Sequence, residues 1–148
     1  MLTFEPGWKV VLTPRVPKLA AAAVPAVFED LISSIPEIVD AGKFKASSYD
    51  WALHPGGSTV LTGVEKAMRL TPEHMRASYE VYMSHGNSSS ATVFSVLSKL
   101  LEGETTEHIV GCAFGPGISV EMMMFKRDQG SSSGTQSPTE TLVAEDVD

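Results

Sequence analysis

The chain predicts an α/β fold, a mixed β-sheet with helices on its faces. Three observations predict it. Short apolar runs alternate with segments whose apolar residues recur every three to four positions. Clusters of Gly, Pro, Asn and Ser separate these segments. The last two apolar runs are parted only by Gly115-Pro116-Gly117, a hairpin connection that adds an antiparallel pair. The order strand, helix, strand, three helices, strand, strand gives layered α/β architecture.

Each element has a local reason. Residues 8–12 form an apolar run that ends at Pro14, a buried strand. Pro17 suits the first turn of the helix that follows. Its stripe is Val24, Phe28, Leu31, Ile32 and Ile35, and Pro25 is expected to kink or interrupt it. Residues 49–53 form a second strand, broken by His54-Pro55-Gly56-Gly57. Ser58 or Thr59 can cap the next helix, whose stripe is Val60, Leu61, Val64 and Met68.

Thr71-Pro72-Glu73 combines a cap, a first-turn proline and an acid, so a helix is expected from there to about Ser84. Met75, Tyr79 and Met83 share its inner side, and His85-Gly86-Asn87 ends it. Ser88 to Ser90 opens a further helix with Val93, Leu97, Leu100 and Leu101 inward, stopped by Gly103. Residues 108–114 and 118–126 are the hairpin strands. Met122-Met123-Met124-Phe125 is apolar on both faces, so the last strand is expected to be covered on both.

The 148 residues suffice for one domain with a modest core, or half of a larger one. A hydrophobic content of 43 % argues for a packed body. The net charge of −7 is concentrated at one end: residues 128–148 hold five acids and no bases, leaving 13 acids and 11 bases in residues 1–127. Residues 1–127 are therefore expected to be the folded domain. Residues 128–148, rich in Ser and Thr, are expected to be a disordered acidic tail. The acidic balance speaks against nucleic acid as a partner. The longest apolar run has ten residues, from Leu19 to Phe28, too short to span a bilayer. The first residues lack the pattern of a secretory signal, so the expected location is cytoplasmic.

Three loops could carry chemistry. His54-Pro55-Gly56-Gly57 lies at the carboxyl end of a predicted buried strand, where open α/β sheets place ligands. Gly56 and Gly57 permit close approach of a substrate to the backbone. A helix N-terminus nearby favours neutral imidazole, which can donate one N–H to a developing oxyanion. Alone, the tetrapeptide also fits a plain strand–turn–helix connection. Asn87, in His85-Gly86-Asn87-Ser88-Ser89-Ser90, offers two amide donors and could complete an oxyanion hole. By itself, Asn87 reads first as a helix cap. The third loop, Ala113-Phe114-Gly115-Pro116-Gly117, is rigid and tight. His74 and His108 read as solvated or structural, and the four His lack metal-ligand spacing. The single Cys, Cys112, lies between Gly111 and Ala113 in an apolar strand, away from any helix N-terminus that would favour a thiolate. It reads as a small core residue.

Together these segments resemble the C-terminal half of a type III polyketide synthase, the chalcone and stilbene synthase family within the thiolase-like superfamily. Four stretches carry the resemblance, in order. They are Val16-Pro17-Lys18-Leu19, Trp51-Ala52-Leu53-His54-Pro55-Gly56-Gly57, Gly86-Asn87-Ser88-Ser89-Ser90-Ala91-Thr92-Val93, and Ala113-Phe114-Gly115-Pro116-Gly117-Ile118-Ser119-Val120-Glu121. The resemblance spans about residues 8–127 and implies a thiolase-like half, normally completed by an N-terminal half.

In that family a Cys nucleophile takes an acyl group from coenzyme A. A His and an Asn bind the thioester carbonyl during malonyl-CoA decarboxylation and Claisen condensation. Both steps place negative charge on a thioester oxygen, which oriented donors in a dry pocket stabilise. The resemblance gives these roles to His54 and Asn87. Gly56 and Gly57 fall where coenzyme A or substrate approaches. Phe114, Gly115, Pro116 and Gly117 shape the cyclisation pocket, with Ala113 where the family has Gly. The resemblance implies no permanently bound cofactor and no metal, with malonyl-CoA and acyl-CoA as substrates. It further implies a homodimer in the full-length enzyme and a matching N-terminal half as partner.

The family's Cys belongs to that N-terminal half, and Cys112 has the wrong neighbours to replace it. The chain by itself is therefore expected to be inactive in condensation. Two other readings remain at this point: a non-catalytic thiolase-like interaction module, and a fragment of a ketoacyl carrier-protein synthase, which shares the fold and a Cys-His-Asn set.

Overall fold

The structure, a computed structural model, describes residues 13–103 and 106–127. The predicted strand over residues 8–12 and the acidic segment from residue 128 lie outside the described residues. Helix α1 is Arg15–Ser33 and α2 is Pro36–Asp40. A short 3-10 turn, Ala46–Ser48, leads into strand β1, Asp50–Leu53. Helices α3, Ser58–Met68, and α4, Arg76–His85, follow. The 3-10 turn Ser89–Ala91 opens helix α5, Thr92–Leu101. Strands β2, His108–Gly115, and β3, Ser119–Lys126, complete the fold.

The sheet has the order β1-β2-β3 and is mixed, as expected. β1 runs parallel to β2, with Leu53 opposite Cys112. β2 and β3 form the antiparallel hairpin, from His108 opposite Lys126 to Gly115 opposite Ser119. Side chains alternate across the sheet with period two. Trp51, Leu53, Val110 and Cys112 join the cluster built with Val24 and Phe28 of α1 and Leu61 and Val64 of α3. Ala52 and Ile109 point the other way, into a second cluster with Ala77 and Val81 of α4 and Val96 and Leu100 of α5. Trp51 is fully buried, its ring centroid 5.4 Å from that of Phe28, and its Nε1–H donates to the Ala46 carbonyl at 3.0 Å.

Several expectations are corrected. Pro25 does not interrupt α1, which runs as one helix through it. Proline removes one helical hydrogen bond, and burial of Ala21, Val24 and Phe28 on the same face offsets that loss. Gly57, not Ser58 or Thr59, stands at the N-cap of α3, where its carbonyl accepts from the Val60 and Leu61 amides.

The segment after Thr71 is a string of turns before α4 proper starts at Arg76. Here the His74, Met75 and Arg76 amides donate to the carbonyls three residues back, and His74 Nδ1 accepts from the Thr71 amide at 3.1 Å and lies 2.7 Å from Thr71 Oγ1. Met75 is buried and Tyr79 half-buried, but Met83 is 80 % exposed, and the inner face of α4 is Ala77, Ser78 and Val81. On α5 the buried residues are Thr92, Val96 and Leu100, with Val93 and Leu97 half-buried and Leu101 exposed.

Lastly, β3 is covered on one face and only in part on the other: Met122 and Met124 pack against the α1 side and Phe125 against the α5 side, while Met123 is 59 % exposed. Among the described strands β3 is the outermost, and α5 packs over β1 and the start of β2. An ionic clasp that periodicity does not reveal joins the start of β1 to the end of β3. Asp50, at the start of β1, accepts from Arg127 Nη1 at 2.7 Å, with both side chains at most 10 % exposed. Arg127 also donates to the carbonyls of Leu100, at 2.8 Å, and Thr106.

Candidate active site

His54 is the first residue beyond β1, and its amide donates to the Cys112 carbonyl at 2.8 Å, carrying the β1–β2 ladder one residue further. The Gly56 amide donates back to the His54 carbonyl at 2.9 Å, so the chain turns sharply before α3. His54 is buried, and burial holds its imidazole below the usual histidine pKa because the charged form loses hydration. The ring nitrogens of His54 make no hydrogen bond to any described residue.

Asn87 arrives from the other side. Gly86, with φ 70° and ψ −150°, turns the chain out of α4 in a conformation that side chains disfavour. Asn87 Nδ2 donates to the Gly56 carbonyl at 3.4 Å, and its Oδ1 accepts from the Ser89 amide at 2.9 Å. This is an Asx turn and not a helix cap, since Ala91 stands at the N-cap of α5. The turn holds Ser89 at φ 62°, a left-handed conformation uncommon for non-glycine residues. Thr92 completes the loop. Its Oγ1 accepts from the Ser88 amide and donates to the Ser89 carbonyl, both at 2.8 Å.

The hairpin loop forms the third wall, with Gly117 at φ 72° and Ile118 at φ 62° bending it sharply. His54, Asn87, Ser89, Ser90, Phe114, Gly115 and Pro116 line one cleft of about 650 Å³. The three loops, far apart in sequence, thus meet at one place. Gly56 reaches Asn87 through its carbonyl, while Gly57 and Gly117 shape the turns without lining the cleft. Among the described residues no carboxylate or cationic side chain lines it. Neutral donors facing an uncharged cavity suit a developing oxyanion, because nothing nearby opposes negative charge.

Among the described residues no group of three or more His, Cys, Asp or Glu could hold a metal ion. Nor is any helix among them long and apolar enough to cross a membrane. His74 and His108 stay outside the cleft: His74 Nε2 meets the Ser47 carbonyl, and His108 packs on Tyr49. Cys112 is buried, and burial pushes its thiol up to about 12. Iodoacetamide is expected to leave Cys112 unmodified in the folded chain and to label it in denaturant. Stoichiometric labelling of the native protein, read by mass spectrometry, would contradict its placement.

A family model for chalcone and stilbene synthases, C-terminal domain, matches residues 2–127. The chain belongs to that family. This synthase domain is 37 % identical over 131 residues to a type III polyketide synthase of Penicillium soppii, covering 82 % of the chain and 33 % of that relative. Among solved structures, it resembles a type III pentaketide synthase from Neurospora crassa with 55 % identity and a TM-score of 0.77, covering 82 % of the chain and 34 % of that structure. It resembles CsyB in complex with CoA-SH with 35 % identity and a TM-score of 0.75, covering 80 % of the chain and 33 % of that structure. The fold is therefore thiolase-like, and the chain corresponds to the C-terminal part of the type III polyketide synthases it matches. It spans about a third of the length of the relatives it matches.

Proposed function

We propose that this domain supplies His54 and Asn87 as carbonyl-binding donors to a type III polyketide synthase active site. There malonyl-CoA is decarboxylated and condensed onto an acyl-CoA starter. The observation that carries the reading is the convergence of His54, Asn87 and the Phe114-Gly115-Pro116 loop on one uncharged cleft. Decarboxylation releases CO2 and leaves an enolate on the malonyl-CoA thioester oxygen, and condensation passes through an alkoxide on the acyl-Cys thioester oxygen, which collapses as the Cys thiolate leaves. Two N–H donors stabilise both more than the ground-state carbonyl. Coenzyme A thioesters are the substrates in this reading, in keeping with the CoA-SH bound to CsyB. Phe114 and Pro116 bound the space in which the growing chain folds.

Cys112 is buried in the core and does not line the cleft, so the acyl-accepting Cys comes from the remaining part of the synthase. A surface suited to that part is present. Phe94 of α5 and Met123 of β3 are both more than half exposed. They line an apolar cavity of about 290 Å³ that opens between α5 and the hairpin. Apolar side chains this exposed are costly in water and gain from being covered.

The test is complementation. The chain is co-expressed with the N-terminal part of the Neurospora crassa pentaketide synthase and assayed for malonyl-CoA decarboxylation and polyketide product. Turnover is expected only from the complex. Product from the chain alone would overturn the division of labour. A stable complex with no turnover would favour a non-catalytic interaction module instead.

A further inference from the structure

We propose that Ser78 is a positioning residue, whose hydroxyl ties α4 to the edge of β1 and so sets where His54 lies relative to Asn87. Among the described residues β1 has a strand partner on one side only, β2. On its other side the backbone groups of Trp51 and Leu53 need partners, because buried amides and carbonyls are costly when unpaired. The Trp51 amide donates to the His74 carbonyl at 3.1 Å. The Leu53 amide donates to Ser78 Oγ at 3.1 Å, and Ser78 Oγ donates to the Trp51 carbonyl at 3.3 Å. One hydroxyl thus imitates a strand edge, acting once as acceptor and once as donor.

Ser78 is fully buried on a helix, a site where an apolar residue is the ordinary choice. A buried hydroxyl is tolerated only when satisfied. Its two partners flank Ala52 on β1, and Leu53 is the residue immediately before His54. The helix that bears Ser78 ends at Gly86, whose amide donates to the Tyr82 carbonyl at 2.9 Å, and Asn87 follows at once. At the far end Asn87 Nδ2 reaches back to the Gly56 carbonyl. The strand carrying His54 and the helix carrying Asn87 are therefore joined at two points, Ser78 and Asn87. Among the described residues, Ser78 makes the only side-chain hydrogen bonds between α4 and β1.

The catalytic meaning of this frame rests on the proposed roles of His54 and Asn87. The geometry is testable without them, on the full chain labelled with 15N. Ser78→Ala is expected to speed hydrogen exchange of the Leu53 amide about tenfold beyond any change at Val110. It is also expected to move the titration midpoint of the His54 ring and the side-chain amide resonances of Asn87. Ser78→Thr, which keeps the hydroxyl, should restore all three. If Ser78→Ala unfolds the chain, Ser78→Cys, close in size but a weaker donor and acceptor, provides the same readings.

Wild-type behaviour of Leu53 and His54 in the folded variant overturns the proposal, as does failure of Thr to rescue. In the complemented synthase Ser78→Ala should lower kcat with little change in KM, and Thr should recover it. Full activity of His54→Ala there would instead refute the proposed function, leaving the exchange and titration results to decide the role of Ser78.

Discussion

Replacing His54 by Ala in the complemented synthase is expected to lower kcat/KM for malonyl-CoA decarboxylation by about 100- to 1000-fold, the usual loss for one oxyanion donor. Asn87→Ala should cost a similar factor. The pair should cost less than the product of the two, because both donors face the same cleft. Activity within a factor of about three of the parent in either variant would remove that residue from the site.

The His54 ring also makes a prediction about pH. Burial lowers its pKa below the usual 6.5, so the folded chain binds this proton less readily than the unfolded chain does. Its contribution to stability is full above 6.5 and is lost as pH falls through the lower, folded value. NMR titration of the isolated chain should place the midpoint below that of the free amino acid. A midpoint at or above the free value would mean that the ring is solvated and the cleft open.

Arg127→Ala is expected to lower the unfolding free energy by about 3–5 kcal/mol, the typical cost of stripping one partner from a buried ion pair. The loss has two parts. Asp50 keeps a charge that water does not reach well, and the Leu100 and Thr106 carbonyls lose their shared donor. This single guanidinium links the end of β3 to the start of β1, the end of α5 and the segment before β2, so its removal loosens four places at once. Urea unfolding of the chain provides the measurement, and a loss below about 1 kcal/mol would place the pair among surface ion pairs of little value. The Lys43–Glu107 bridge is such a pair, with both side chains more than 40 % exposed, and Lys43→Ala should change stability little.

Much of the fold was legible because it follows from short-range rules. The stripe Val24, Phe28 and Ile32 lies inward as the helical period requires. The Gly115-Pro116-Gly117 connection produces the antiparallel pair it announces. The errors share a cause in long-range context. Met83 has helical spacing with Met75 and Tyr79, but no described element lies beyond that end of α4 to cover it. Met123 belongs to an apolar run, yet no described element covers its side chain, which is 59 % exposed. Pro25 breaks a helix by local rules, and packing of its neighbours overrides them.

The same division holds for the candidate site. By itself the sequence determined which chemical groups were available: His54 after a buried strand, Asn87 behind a glycine, and a stiff loop around Pro116. These are local facts, written in residue type and neighbours. Only the tertiary structure decided that the three loops border one cleft, that Asn87 forms an Asx turn instead of a cap, and that Cys112 is sealed in the core. It also exposed Ser78 and the Asp50–Arg127 clasp, which carry no sequence signal. A serine in a helix and an arginine after a strand look like solvated residues until the partners, 25 residues away for Ser78 and 77 for Arg127, are brought beside them. Periodicity reports which side of an element faces inward. Which polar atom meets which across the interior is set by how the elements pack.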